Sequence, residues 1–394
     1  MKIQYNIISQ SRAEQSRAEQ SRATRILQID YIRGIAMLMV IWAHCGAIFT
    51  PVITFFHMPL FFFISGYLFK KRDFKSFFLR RVKSLYIPFL GYEIVFLTLR
   101  NLFLNIGLYT SADWSWMVAV RNIRDLAPLL VHILLFDNVD ELLSTLWFPT
   151  CLFFVELIFW CENRLIHYRW LTIGINSFLM VIGYLLYVRA NVIIGWSYNF
   201  KDAITVILIS LFFYDFGVLS KETKIFSFSG SPKVLEKILA LIFAVVLLVA
   251  WRLGQYTDYR ACSFSNPINC LILSILGIYS TIQIGRSLYR LCSKNALGQF
   301  SNSLIKNTGR WSYHFMALQF LAMKPVSALI AVVMRVPVDK YLGDFGLISI
   351  ASAWWRIIGF VLTTVICYIC AYTIRHLHTI FGNGKIWPFH FFVG

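Results

Sequence analysis

The sequence predicts an all-α fold: a polytopic helical membrane protein with about ten transmembrane helices. Three observations predict it. Apolar residues make up 58% of the chain and charged residues only 14%, where an average globular domain carries about 25% charged residues. Long apolar segments recur throughout the sequence, each long enough to cross hydrocarbon as a helix. The Lys and Arg residues concentrate in short loops between those segments, as the positive-inside rule requires. The apolar runs are too long and too uniform for the ten-residue alternating strands of a membrane barrel. The net charge of +18 therefore reflects topology, and no nucleic-acid partner is expected.

Residues 1–26 form a polar tail. Within it, residues 11–23 read S-R-A-E-Q-S-R-A-E-Q-S-R-A, a five-residue repeat without an apolar face. A loose cytoplasmic tail is expected there. Residues 27–376 form the membrane domain, and 377–394 a short second tail. The ten spans are expected near 32–49, 52–69, 85–106, 145–161, 170–188, 203–219, 238–252, 267–285, 312–334 and 354–374. With both termini in the cytoplasm, the cytoplasmic segments hold 25 of the 37 Lys and Arg residues, and the assignment alternates without conflict. The segment 107–144 is then external. Its apolar run 126–136 is too short to span and is expected along the membrane surface.

Eight cysteines occur, most of them in or beside apolar runs, where a thiol packs as a small hydrophobe. Cys367-x-x-Cys370 lies inside the last span without His or acidic neighbours, so packing is its expected role and no metal site is expected. Cys262 and Cys270 are placed to form an external disulfide.

Residues 30–44 organise the chain. They read D-Y-I-R-G-I-A-M-L-M-V-I-W-A-H and carry Asp30, Arg33 and His44 at the start of the first apolar run. Eleven helical steps bring Arg33 and His44 to within roughly 20° of one face and about 16 Å apart. A cation near one membrane surface and an imidazole about halfway across share that stripe. Ionisable groups at such depth usually face a protein interior or wet cavity and mark a site. The loop 70–84 adds seven cations, among them Arg80, Arg81 and Lys83. It suits anionic lipid and equally a phosphorylated cytosolic ligand, and Arg33 lies at the same face. Further buried polar groups are His57, Glu93, Arg100, Glu156, Asp215, His314, Lys324 and Arg356. Asp30, His57 and His314 are candidate supporting residues, and Glu93, Glu156 and Asp215 are candidates to orient an imidazole.

These features resemble the membrane-bound acyltransferase-3 family, which O-acylates bacterial surface saccharides. The first match is L-Q-I-D-Y-I-R-G-I-A-M-L-M-V-I-W-A-H, with Arg33, ten residues, then His44. F-F-H-M-P-L-F-F-F-I-S-G-Y-L-F at 55–69 and F-L-R-R-V-K-S-L-Y-I-P-F at 78–89 follow it. L-W-F-P-T-C-L-F at 146–153 and G-R-W-S-Y-H-F-M-A-L-Q-F-L-A-M-K at 309–324 are looser, the last being similar to fucose-acetylase-like members. The chain departs from the pattern at Pro149, where Leu is usual, at Gln319, where relatives often have His, and at Ser84, where some branches place a second Arg.

The resemblance implies a protein of the bacterial inner membrane. Its donor substrate would be cytoplasmic acetyl-CoA, with no bound cofactor, and its acceptor a hydroxyl on a lipid-linked or polymeric saccharide. Arg33, Arg80, Arg81 and Lys83 would hold the CoA phosphates. His44 would act as base or be acylated first. The alternative is an exporter or polymerase of the same polysaccharide pathway.

The repeat carries an expectation about the gene. GAG-CAG-AGC-AGA-GCA encodes E-Q-S-R-A and is the five-base unit GAGCA written three times, so loss or gain of one unit shifts the reading frame. On/off phase variation follows, as suits a gene that modifies a surface antigen. Sequencing codons 11–23 checks it: an unbroken five-base period is expected, and synonymous codons that break the period would end the idea.

Overall fold

The computed structural model describes residues 27–109, 119–189, 200–228, 230–259 and 263–381. The repeat tract and Cys262 lie outside them. Almost everything described is helical. The order is α1 (27–44), α2 (Thr50–Thr54), α3 (His57–Tyr67), α4 (Phe74–Arg81), a π-helical turn (Val82–Tyr86), α5 (Ile87–Asn105), α6 (Ile123–Leu134) and a 3-10 segment (Glu141–Leu146). Then come α7 (Trp147–Leu165), α8 (Arg169–Arg189), α9 (Phe200–Thr223), α10 (Val234–Arg252), α11 (Pro267–Cys292), α12 (Ala296–Arg310), α13 (Ser312–Val333), α14 (Val338–Leu342) and α15 (Ala353–Phe381). A two-residue β-ladder, Thr257–Asp258 with Ser263–Phe264, joins α10 to α11.

Among the described residues, nine helical segments are long and apolar enough to cross a membrane. They coincide with nine of the ten spans read from the sequence. The remaining span falls on α1, which carries Asp30 and Arg33 within 18 residues. The second span is broken. α2 ends at Thr54, and Phe55 and Phe56 interrupt the helix before α3. The Ser274 hydroxyl donates to the Phe55 carbonyl at 2.7 Å, satisfying the break from α11. The cysteines described here carry free thiols, with Cys270 and Cys367 buried and Cys370 half-buried.

The ends of α1 are fixed by two different devices. At its start, Gly34 and Gly309 let α1 and α12 touch backbone to backbone. A Cβ at Gly34 would lie 1.9 Å from the Ile305 carbonyl oxygen, and one at Gly309 would lie 1.9 Å from that of Asp30. Arg310 Nε donates to Asp30 Oδ2 at 2.8 Å across the same contact. At its end, Gly46 takes a φ of +62° that side chains rarely adopt. Arg356 Nη1 then donates to the Cys45 carbonyl at 3.1 Å, placing a cation at the negative end of the helix.

The segment around 107–144 departs from expectation. Its described part from residue 119 onward does not lie along the surface; it packs back into the bundle beside α5. Asn101 and Val120 exchange two hydrogen bonds, of 2.7 and 2.9 Å, at the far end of α5. From there α6 starts in a capping box of Asn122 and Asp125. It ends where the Tyr86 hydroxyl donates to the Leu134 carbonyl at 2.7 Å, at the opposite end of α5. Asn101 and Tyr86 are fifteen residues apart, about 22 Å of helix. The chain turns at Phe136, whose ring packs on Tyr86, Phe89 and Phe153. It then climbs back along α5: Asn138 Nδ2 donates to Glu93 Oε1 at 2.6 Å, Arg100 Nη1 to the Val139 carbonyl at 3.3 Å, and the Tyr109 hydroxyl to Asp140 Oδ2 at 2.7 Å.

The physical reason is polar satisfaction. Arg100 and Glu93 are fully buried in α5, and an unmatched charge at bilayer depth costs about 3 kcal/mol or more. The returning strand of the hairpin supplies their partners. The apolar run was correctly too short to span, because it crosses part of the way and comes back.

Cysteines introduced one at a time at Arg121 and Leu134 test this arrangement. A membrane-impermeant thiol reagent applied from the Arg121 side is expected to label Arg121→Cys and to spare Leu134→Cys. Equal labelling of both would restore the surface-lying segment.

Candidate functional site

The π-helical turn after α4 sets the entrance to the site. Asp73 caps α4, its carboxylate accepting from the Ser76 N–H at 2.9 Å, and that hydrogen bond holds the carboxyl below the usual carboxylate range. α4 ends in Arg80 and Arg81, and the chain then widens by one residue per turn before α5 begins. Arg81 faces inward, its Nε 2.5 Å from Glu156 Oε2 on α7 and its guanidinium over the Phe77 ring. Arg80 and Lys83 stay exposed on the other side.

Arg81 thereby joins a cavity of about 350 Å³ at the basic end of the bundle. Four guanidinium groups stand on its wall: Arg33 from α1, Arg81 from α4, Arg310 from α12 and Arg375 from α15. Arg33 is half-buried and donates to the Ser312 hydroxyl at 3.3 Å. Arg310 is held by Asp30, and Arg375 lies over the Trp311 ring. The rest of the wall mixes apolar residues, Phe61, Leu85, Pro88, Phe148 and Met316 among them, with Ser65, Ser84 and Glu156. His314 stands among them, buried, with Nδ1 2.7 Å from the Tyr92 hydroxyl.

Four arginines sharing a cavity wall with apolar side chains are chemically legible. Arg groups suit phosphate through paired N–H donors. Excluding water behind them strengthens every charge interaction at the mouth.

His44 lies at the opposite end of α1, outside this lining. It is half-buried, and its ring meets the Phe320 ring edge-on at a centroid distance of 4.8 Å. α1 and α13 therefore run side by side, with Arg33 beside Ser312 at one end and His44 beside Phe320 at the other. Eight residues separate Ser312 from Phe320, about 12 Å of helix. Between them Gln319 is fully buried; its Nε2 donates to the Met316 carbonyl, and its Oε1 has no protein partner.

The other residues singled out in the sequence divide clearly. His57 donates from Nδ1 to the Ile53 carbonyl, 3.0 Å away, at the break between α2 and α3. Glu93 is engaged by Asn138 and Glu156 by Arg81. Asp215 pairs with Arg169 and accepts from Asn176 Nδ2 at 2.9 Å. Among the described residues, amide and guanidinium groups rather than imidazoles hold these three carboxylates. Lys324 Nζ donates to the Asp344 carbonyl at 2.8 Å. Among the described residues no group of three or more His, Cys, Asp or Glu side chains is placed to hold a metal ion.

Sequence reasoning did not single out Arg310, Arg375, Ser312 or Tyr92. The two arginines were counted only as topogenic charge. Their available signal was position: each falls at the basic end of a helix that packs on or follows α13. Tyr92 carries no signal in the sequence.

The helices define a multi-pass membrane protein with an arginine-lined cavity at one end of its bundle. Comparison with known proteins gives the particular class. Residues 26–372 match the acyltransferase-3 family model, described as an acyltransferase domain, and the chain belongs to that family. It is a membrane acyltransferase. No curated protein and no solved structure matches the chain.

Proposed function

We propose that the protein moves an acetyl group from acetyl-CoA, bound from the cytoplasm, to a hydroxyl of a cell-surface saccharide. The setting is the bacterial inner membrane, with the basic end of the bundle facing the cytoplasm. The observation that carries this reading is the cavity at the basic end of the bundle, lined by four arginines and by apolar side chains. Coenzyme A has the matching shape: phosphates at one end and a long, largely uncharged thiol arm at the other. Arg33 and Arg81 contact the phosphates, with Arg310 and Arg375 beside them. Arg80 and Lys83, exposed on the outer side of the same turn, attract the donor without lining its site.

The acyl group is carried along α1 and α13 towards His44. The saccharide hydroxyl arrives from the far side. In a one-step transfer His44 takes the hydroxyl proton, the oxygen attacks the thioester carbonyl, the C–S bond breaks and CoA leaves as its thiol after protonation. In a two-step transfer the imidazole nitrogen attacks the thioester carbonyl, the C–S bond breaks and CoA leaves as its thiol; the saccharide hydroxyl then attacks the acyl-imidazole, the C–N bond breaks and the hydroxyl proton passes to the freed ring. Both use the anchoring of the end of α1 by Gly46 and Arg356, which holds the imidazole at a fixed depth.

Isolated membranes given labelled acetyl-CoA test the reading, with label expected in saccharide. His44→Ala is expected to lower transfer by at least about a hundredfold, the usual contribution of a general base, while the protein still inserts. Full transfer by that variant would remove His44 from the chemistry.

Arg33→Ala is expected to raise the KM for acetyl-CoA by about tenfold or more, the loss of one charge-assisted hydrogen bond. An unchanged KM would remove Arg33 from the donor site.

A further inference from the structure

His314 stands on the cavity wall beside apolar residues such as Phe61, Leu85, Phe148 and Met316, and its placement there has a structural cause. α5 and α13 both begin at the basic end, and helical side chains tilt towards the start of their helix. Tyr92 and His314 therefore lean towards the mouth, each nearly fully buried, at 2% and 3% exposure. Tyr92 occupies Nδ1 at 2.7 Å. Tyr313 stacks on Tyr92 and donates its own hydroxyl to the Leu85 carbonyl, so the dyad is held from behind. The ring is thus fixed, and Nε2 is the nitrogen left for an occupant of the cavity. In a neutral imidazole one nitrogen donates and the other accepts.

We propose that His314 is a donor-binding residue: Nε2 hydrogen-bonds an amide of the pantetheine arm as it passes through the cavity. This rests on the reading of the cavity as an acyl-CoA site. The chemistry of the arm singles out the match. An amide offers both an N–H and a C=O, so it satisfies Nε2 in either tautomer of the ring. An arm that carried no polar group would leave that nitrogen unpaired among apolar side chains, which is costly.

His314 then has a different task from the arginines. They recognise the nucleotide end of the donor, and it recognises the arm. Tyr92 is a positioning residue that acts through the imidazole. The two halves of the donor can be separated experimentally, because S-acetylpantetheine keeps both amides and the thioester but lacks the nucleotide and its phosphates.

The test compares acetyl-CoA with S-acetylpantetheine in membranes carrying wild type, His314→Leu, His314→Gln, Tyr92→Phe or Arg33→Ala. His314→Leu is expected to raise KM about fivefold for both donors with kcat largely kept, the effect of one neutral hydrogen bond. His314→Gln, whose amide reaches the Nε2 position, is expected to restore most of the lost affinity. Tyr92→Phe is expected to give a smaller rise shared by both donors. Arg33→Ala is expected to raise KM for acetyl-CoA alone.

The proposal is overturned if His314→Leu leaves both KM values unchanged, if it lowers kcat at constant KM, or if the rise is confined to acetyl-CoA. Should His314→Leu fail to insert, His314→Gln and Tyr92→Phe decide: Gln retaining affinity while Phe loses some for both donors supports it, and any other pattern overturns it. Transfer by the wild type from neither donor would instead end the acyl-CoA reading itself.

Discussion

A charge inside a bilayer has to be matched by protein, and this structure is arranged around that requirement. Arg100 and Glu93 in α5 call the hairpin of residues 119–146 back into the bundle, because its polar atoms are the ones that reach them. Asp215 in α9 is answered by Arg169 and Asn176 at the start of α8. Lys324 in α13 is answered by the backbone at Asp344. These are local solutions, each closed on itself. The arginine mouth differs: Arg81 and Arg310 have carboxylate partners in Glu156 and Asp30, yet all four guanidinium groups still border open volume. The surplus of positive charge lies where a ligand can add to it.

The membrane spans were legible because hydrophobicity is a property of each segment alone. The stripe joining Arg33 to His44 was legible for the same reason, since helical periodicity within 18 residues fixes it. Partners were not legible. Glu93 finds Asn138 45 residues later, and Tyr92 finds His314 222 residues later. Nothing in the local pattern of α5 announces either one. The hairpin escaped for a subtler reason. A run of about eleven apolar residues is equally compatible with a surface helix and with a half-crossing, and only the satisfied polar atoms of its neighbours separate the two.

The carboxylates show how a physical argument can be right about need and silent about supplier. Buried Glu93, Glu156 and Asp215 each required a partner, as their depth implied. Amide and guanidinium groups fill that need: Asn138 for Glu93, Arg81 for Glu156, and Arg169 with Asn176 for Asp215.

The mouth of the cavity draws on α1, α4, α12 and α15, so its first and last contributions come from opposite extremes of the helical sequence. A nascent chain still lacking α15 presents only three of the four cations and none of the shielding that the final helix gives α13. The four cations therefore come together on one wall only when the final helix has been made and packed against α13.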